Sequence, residues 1–150
     1  MTTRPTDVIF DVLRSTIDED QLCALYDSVG WTAYTKDPKA LAAAISGSDF
    51  VVTATAATQL VGLARCISDG ETIVYIQDIL VAPTHQNRGI GRCLVEHILD
   101  QYAHVRQKVL LTDDRPEQLR FYSSLGFTNT RGLNQTPLNA FVIIEGTNLE

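Results

Sequence analysis

Cysteine is scarce in this sequence of 150 residues, and the three that occur, Cys23, Cys66 and Cys93, lie far apart. Such spacing fits neither a disulfide framework nor a set of metal ligands, so we expect free thiols in a reducing compartment and no bound metal. Basic residues are also few, because 12 Lys and Arg stand against 18 Asp and Glu, for a formal charge of −6. An acidic chain is a poor candidate for nonspecific nucleic-acid binding, although it suits a cationic small molecule.

Long apolar runs are missing as well. The longest uncharged stretch, Phe50–Ala64, has 15 residues and is rich in threonine, whereas a membrane-spanning helix needs about 20 apolar residues. The segment Met1–Asp11 lacks the apolar core of a signal peptide. We therefore expect a cytoplasmic protein that has no membrane partner. A chain of this length is expected to form a single domain over residues 1–150.

Apolar periodicity and turn-forming residues predict a mixture of strands and helices. The predicted strands are Val8–Leu13, three strands within Asp49–Val81, Lys108–Thr112 and Ala140–Glu145, and the predicted helices are Asp18–Gly30, Lys39–Ser46, Gly89–Tyr102 and Pro116–Leu125. Turns are expected at Thr58–Gln59 and at Ser68–Gly70. The order β-α-α-β-β-β-α-β-α-β indicates an α/β mixed (α+β) fold, in which a sheet packs against helices.

The helix predicted from Gly89 begins with a glycine-rich turn, Gln86–Gly91, that follows an apolar strand ending at Val81. The first N–H groups of a helix lack partners within the helix and carry partial positive charge, so they bind phosphate groups. Glycine removes side chains that would block a close approach, and Arg88 and Arg92 add positive charge. The turn therefore predicts a pyrophosphate site, with a plain change of chain direction as the alternative interpretation.

Two motifs give this turn a family context. The motif Q-x-x-G-x-G at residues 86–91 and the motif FYSSLGF at residues 121–127 closely resemble the GNAT superfamily of acetyl-CoA-dependent N-acetyltransferases, and the resemblance extends over Val8–Phe127. It implies a GNAT fold, with a central, mostly antiparallel, splayed sheet flanked by helices. It also implies that acetyl-CoA is the cosubstrate, with its pyrophosphate on the main-chain N–H groups of Asn87–Arg92 and its pantetheine arm along the strand edge Ile79–Val81.

The same resemblance assigns further residues to the cofactor. Many family members bind the pantetheine region through an asparagine upstream of the tyrosine in the second motif. Arg115 stands there in this sequence, so the role passes to Asp114 or Thr112, or Arg115 meets a phosphate instead. Phe121 is expected in the core or at the wall of the cofactor site. The predicted cofactor-binding residues are Ile79, Leu80, Val81, Gln86, Asn87, Arg88, Gly89, Ile90, Gly91, Arg92, Asp114, Arg115 and Phe121.

Acetyl transfer to an amine requires a neutral amine, a stabilised oxyanion and a proton for the departing thiolate. Tyr122 matches the general acid of the family. A phenol has a reference pKa of about 10, so it is protonated at neutral pH and can donate. The alternative interpretation is that Phe121 and Tyr122 are an aromatic helix end that only packs against the sheet.

The strand YIQDILV, residues 75–81, is similar to that of the spermidine/spermine N-acetyltransferases, where a Tyr-Leu-Glu-Asp stretch carries a glutamate that serves the incoming amine. Gln77 takes the place of that glutamate and cannot take up a proton, so it is expected to orient the amine or a water molecule. Tyr75, Gln77 and Ile79 alternate onto one face, and Asp78 points to the other face unless a bulge intervenes. Asp78 is therefore either a structural acceptor or the catalytic base.

The aromatic residues Tyr26, Trp31 and Tyr34 cluster around the loop that follows the first predicted helix. Together with Tyr75 they predict the walls of an amine pocket, because aromatic faces attract cations. The alternative is a corner that buries its own aromatic side chains. The predicted function is acetyl transfer to a primary amine of a small molecule. The alternatives are a protein or peptide N-acetyltransferase and a catalytically silent CoA-binding regulatory domain, and a homodimer is left open.

Overall fold

The computed structural model describes residues 5–147 and residue 149 of the chain. The chain divides into two compact units, with the boundary between Leu111 and Thr112. The single domain expected over residues 1–150 therefore stays a prediction. The first unit contains β1 (Val8–Val12), α1 (Glu19–Ser28), α2 (Thr32–Thr35), α3 (Pro38–Ser46), β2 (Phe50–Ala56), β3 (Gln59–Ser68), β4 (Ile73–Val81), a 3₁₀ turn (Pro83–His85), α4 (Ile90–Gln101) and β5 (Gln107–Leu110). The second unit contains α5 (Pro116–Ser124) and a 3₁₀ turn (Thr130–Gly132).

The five strands of the first unit form one sheet in the order β1-β2-β3-β4-β5. The pairs β1–β2, β2–β3 and β3–β4 are antiparallel. The pair β4–β5 is parallel, and it joins only Ile73–Ile76 to Gln107–Leu110. The mostly antiparallel sheet flanked by helices confirms the predicted fold class.

Helix α4 packs on β2, β3 and β4 through an apolar stripe. Ile90, Leu94 and Ile98 recur every four residues along this stripe and are almost completely buried. Gly62 of β3 allows the close approach, since a Cβ atom there would lie 3.2 Å from the side chains of Ala54, Ile90 and Leu94. Burial of each large apolar side chain stabilises the fold by roughly 1.5–3 kcal/mol. This packing fixes where the first turn of α4 lies relative to β4.

Side-chain caps define where the first helices begin. Asp18 accepts a hydrogen bond from the Gln21 backbone N–H at 3.0 Å at the start of α1. Asp37 accepts one from the Ala40 N–H at 3.1 Å, and Pro38 occupies the first turn of α3. The short helix α2 lies between them, and the sequence pattern did not predict it. These caps fix the first residues of α1 and α3.

Three sequence expectations need correction. The strand predicted at Ala140–Glu145 is wrong, because this segment has no regular secondary structure. Its apolar side chains are exposed, with Phe141 at 92% and Ile143 at 90%, and a lone extended segment without a pairing partner is not stable as a strand. The strand predicted to end at Thr112 stops at Leu110. The hairpin turn lies at Ala57–Thr58, where Ala57 has a φ of +54°, rather than at Thr58–Gln59.

Candidate functional site

Strand β4 is paired differently along its two halves. Residues Val74–Ile76 pair with β3 on one side and with β5 on the other. From Asp78 to Val81 the strand pairs with β3, and within the described residues no strand lies on its other edge. The structure therefore leaves an edge open along Ile79, Leu80 and Val81, where the sequence predicted that an extended ligand would pair with the backbone.

The loop after β4 carries two residues in the left-handed region, Asn87 with a φ of +61° and Gly89 with a φ of +81°. Gln86 ties this loop to the strand, since its Nε2 donates to the Val81 carbonyl at 3.0 Å. Gly89 is the N-cap of α4, and in the described part of the chain no side chain caps this helix end. The first-turn N–H groups of Ile90–Arg92 therefore keep their capacity to bind an anion.

The two arginines at this helix end are engaged with carboxylates. Arg88 Nη2 lies 2.5 Å from Asp7 Oδ1, and this hydrogen bond lowers the pKa of Asp7. Arg92 Nη1 lies 3.3 Å from Glu96 Oε1, one helical turn away. All four groups are at least partly exposed. Exposed ion pairs are weak, so little free energy is lost when an arginine exchanges its carboxylate for a bound phosphate.

Asp78, although it lies in the open half of β4, is 2% exposed and receives three hydrogen bonds. Tyr26 Oη donates to Oδ2 at 2.8 Å, and Tyr34 Oη donates to Oδ1 at 2.9 Å. Arg65 Nε donates to Oδ2 at 2.5 Å from the facing position on β3. Arg65 itself is 6% exposed and also donates through Nη1 to Ser48 Oγ at 3.3 Å. The carboxylate is thus buried, paired with a cation and surrounded by donors.

The pKa values of the surrounding groups follow from this burial. Burial, and then the negative charge of Asp78, raise the pKa of Tyr26 above its ordinary value. Burial also raises the pKa of Tyr34. Burial alone would lower the pKa of Arg65, but the hydrogen bond to Asp78 and the charge of Asp78 outweigh it, so the net pKa is raised. Both phenols therefore keep their protons at neutral pH, and both can donate to the carboxylate.

A β-bulge brings Gln77 to the same group of side chains. Arg65 faces Asp78 and Cys66 faces Ile76, so Gln77 is the extra residue in β4. A regular strand would send Gln77 and Asp78 to opposite faces. At this bulge Gln77 Nε2 donates to Tyr34 Oη at 3.2 Å, while the same hydroxyl reaches Asp78. The sequence left open whether a bulge lies next to Asp78, and the structure contains one at Gln77.

The predicted aromatic cluster forms, but one of its side chains is completely buried. The ring centroid of Tyr26 lies 5.9 Å from that of Trp31 and 5.2 Å from that of Tyr34. Tyr26 is 0% exposed, so the prediction that it is a wall of a ligand pocket needs correction, because no part of it can touch a ligand here. Trp31 and Tyr34 are half-buried and present surface. Tyr75 is half-buried on β4, where it faces Ile67 of β3 and Val109 of β5.

The second unit contains the remaining predicted residues. Tyr122 of α5 contacts Phe121 and Phe127, with ring centroids 4.9 and 5.9 Å away. Burial raises the pKa of Tyr122 to about 12, so the phenol is protonated over the whole neutral range. Asp114 and Arg115 are exposed. Their charged neighbours are Arg131, at 3.1 Å from Asp114, and Asp113, at 3.5 Å from Arg115.

The sequence analysis missed Arg65 and Asp7. Arg65 stands in the apolar strand LVGLARCIS, and a buried arginine requires a carboxylate partner, so the sequence carried a signal that was not used. The partner of Arg88, Asp7, lies far away in sequence and gave no local signal. The described residues contain no group of three or more His, Cys, Asp or Glu side chains placed to hold a metal ion. Among the same residues no helix is long and apolar enough to span a membrane.

Comparison with known proteins places this arrangement in a family. The family model described as an acetyltransferase (GNAT) domain matches residues 16–137. The chain belongs to the GNAT acetyltransferase family. The match covers β4, the loop that follows it, α4 and α5 together, and it confirms the resemblance found in the two sequence motifs.

Individual relatives agree with this membership. The uncharacterized N-acetyltransferase ycf52 of Pyropia yezoensis is 30% identical over 113 residues, which is 72% of this chain and 62% of the relative. The histone acetyltransferase TAP1 of Glycine max is 29% identical over 141 residues, which is 83% of this chain and 59% of the relative. The chain thus spans about three fifths of the length of these curated relatives.

Solved structures share the fold. A GNAT-family acetyltransferase from Streptococcus pneumoniae superposes with a TM-score of 0.78 at 25% identity, covering 93% of this chain and 99% of that one. The structure of AAC(6')-Iy with the bisubstrate analogue CoA-S-monomethyl-acetylneamine gives a TM-score of 0.65 at 14% identity, over 91% of this chain and 98% of that one. The second likeness concerns the fold alone.

Proposed function

We propose that this GNAT protein transfers an acetyl group from acetyl-CoA to a primary amine of a small molecule. The observation that carries the proposal is the open edge of Ile79–Val81, which leads into an α4 N-terminus that no described side chain caps. The pantetheine arm of acetyl-CoA is extended and leads to a pyrophosphate, so acetyl-CoA needs both features. Unused backbone groups suit its arm, and free N–H groups suit its phosphates.

The residues present fit acetyl-CoA. The main-chain N–H groups of Asn87–Arg92 would hold the pyrophosphate, and the backbone of Ile79–Val81 would hold the arm. Arg88 and Arg92 each pair with an exposed carboxylate, and such exposed ion pairs are weak. When bound, acetyl-CoA supplies an acetyl thioester that is activated for attack. The AAC(6')-Iy structure, which has the same fold, contains a CoA-based bisubstrate analogue. Asp114, Arg115 and Phe121 remain proposed cofactor contacts.

We assign Asp78 a structural role rather than that of a base. Both carboxylate oxygens already accept hydrogen bonds, and the side chain is 2% exposed. Gln77 is exposed and carries an amide that can orient the amine without taking its proton. The proton of the amine then leaves to water. This route depends on the fraction of amine that is already neutral, which rises with pH.

Tyr122 is the proposed proton donor to the departing sulfur. Its pKa of about 12 keeps the hydroxyl protonated, and the rings of Phe121 and Phe127 hold the side chain. A positioned acid of this kind typically accelerates the reaction by about 10²- to 10⁴-fold.

A small amine is the favoured acceptor because Tyr34, which contacts Gln77, and its neighbour Trp31 offer half-buried aromatic surface, and aromatic faces attract cations. The relatives named for their acceptors point in two directions. TAP1 of Glycine max is named a histone acetyltransferase, whereas the AAC(6')-Iy complex contains an acetylneamine analogue. Transfer to a protein or peptide and a catalytically silent CoA-binding domain are therefore the alternatives that an experiment must separate.

Release of free CoA from acetyl-CoA tests the proposal against both alternatives. The protein is incubated with a panel of primary amines and, separately, with lysine-containing peptides. We expect release with small amines and a loss of about 10²- to 10⁴-fold in Tyr122→Phe. Tyr102→Phe is the matched control, because it removes another phenol hydroxyl and leaves α5 intact. Release with peptides alone would favour a protein acetyltransferase, and binding of acetyl-CoA without release would indicate a silent domain.

We also propose a cytoplasmic homodimer. Its support is the exposed apolar segment that includes Phe141 and Ile143, since large exposed apolar groups often mark contacts between proteins. Sedimentation velocity of the chain, alone and with both residues changed to serine, tests the dimer. An unchanged monomer in both samples would reject it.

A further inference from the structure

The hydroxyl of Tyr34 lies between two neighbouring side chains of β4. It donates to Asp78 Oδ1 at 2.9 Å and accepts from Gln77 Nε2 at 3.2 Å. Asp78 is buried, whereas Gln77 is exposed, so the phenol connects a closed polar centre with the surface of the protein. The bulge at Gln77 makes this connection possible, because it brings two adjacent side chains to one oxygen atom.

The chemistry of the three groups decides the direction of both hydrogen bonds. A carboxylate only accepts, and Asp78 already accepts from Arg65, its cationic partner. The single proton of the Tyr34 phenol therefore goes to Asp78. The phenol oxygen is left as an acceptor, so the Gln77 amide must present its NH₂ group to it. Oε1 of Gln77 then remains as the acceptor that this side chain offers a ligand, beside the second N–H of its NH₂ group.

We infer that Tyr34 is a positioning residue, which holds the Gln77 amide so that its carbonyl oxygen accepts an N–H from the amine substrate. This inference rests on the proposed function and names the group that recognises the acceptor. A primary amine can donate one N–H to Gln77 and keep its lone pair for attack on a carbonyl carbon. A quaternary ammonium group has no N–H and cannot form this hydrogen bond.

The surroundings of Tyr34 favour the same class of ligand. The centroid of the Trp31 ring lies 6.2 Å from that of Tyr34, and both side chains are half-buried. Aromatic faces and a fixed carbonyl oxygen both attract a protonated amine, and both are unfavourable for a carboxylate. Arg65 and Asp78 neutralise each other below the surface, so the recognition relies on the dipole of the Gln77 amide.

The first test concerns the hydrogen bond alone and needs no activity. The side-chain ¹⁵N–¹H₂ resonances of Gln77 are assigned by their loss in Gln77→Ala. We expect that Tyr34→Phe moves them toward the values of a free glutamine side chain. Tyr26→Phe is the matched control, since it also removes one phenol donor from Asp78 but does not contact Gln77. Resonances that are unchanged in Tyr34→Phe overturn the inference.

The second test measures recognition, with 2-phenylethylamine as the probe amine at saturating acetyl-CoA. We expect Tyr34→Phe to raise KM for the amine about tenfold with little change in kcat, and Tyr26→Phe to leave KM unchanged. In the Gln77→Ala background, Tyr34→Phe should add nothing, because its effect acts through Gln77. Equal KM values in the wild type and Tyr34→Phe overturn the inference. If the resonances respond as expected but no primary amine is acetylated, the proposed function fails instead.

Discussion

The two halves of β4 show how one strand can be both structural and functional. Residues Val74–Ile76 have strand partners on both sides, so their backbone groups are used inside the sheet. Residues Asp78–Val81 have a partner only on the β3 side within the described chain. The bulge at Gln77 lies at the boundary between the halves. The first half holds the sheet together, and the second half keeps backbone groups available for a ligand.

The open half of β4 is connected to the neighbouring elements by the polar network around Asp78. Tyr26 from α1, Tyr34 from α2 and Arg65 from β3 all bond to this one carboxylate. The network therefore connects α1 and α2 to the half of β4 that pairs with β3 alone. It also places Gln77 at the surface with its amide held by Tyr34. Stability in this region depends on the whole network, whereas the proposed recognition of the amine depends on the contact between Tyr34 and Gln77.

The largest expected effect comes from Asp78→Asn. Removing the charge leaves Arg65 buried without its partner, and breaking a buried ion pair typically costs about 3–5 kcal/mol. Urea unfolding should show this loss, whereas Asp100→Asn on the exposed side of α4 should be close to neutral. A folded, stable Asp78→Asn protein that has lost activity, together with the acidic limb of its pH profile, would instead make Asp78 the base.

An intermediate effect is expected where the open half continues into α4. Gly89 has a φ of +81°, so Gly89→Val adds a branched side chain at the proposed pyrophosphate site as well as backbone strain of roughly 1–2 kcal/mol. We expect acetyl-CoA to bind at least about tenfold more weakly by calorimetry. Gly70→Val is the matched control, because Gly70 has the same φ of +81° and its Cβ would meet open space. If both variants bind acetyl-CoA normally, the loop does not hold the pyrophosphate.

The contrast between the halves of β4 was only partly predictable from the sequence. The glycine-rich turn and the apolar stripe of α4 are local patterns, and the structure places them as expected. The sequence did not predict the bulge at Gln77, because the register of strand pairing also depends on the partner strand. The buried Arg65 requires an anion, but no local pattern says that Asp78 is that anion. The segment Ala140–Glu145 has strand-forming residues, yet a strand also requires a partner, which the sequence does not reveal.

The smallest expected effect is that of Gln77→Glu on the pH profile of the reaction. This substitution tests the surface where the two halves of β4 meet. With glutamine, the rate should rise toward the pKa of the amine, about 10 for an alkylamine by analogy with lysine. The substitution introduces a carboxylate near Asp78, and the like charge raises its pKa, so it can accept a proton nearer neutral pH. The rising limb of kcat/KM should therefore move to lower pH, whereas Gln101→Glu, at the exposed end of α4, should leave it unchanged. A limb that does not move would show that the proton of the amine leaves by a route that Gln77 does not border.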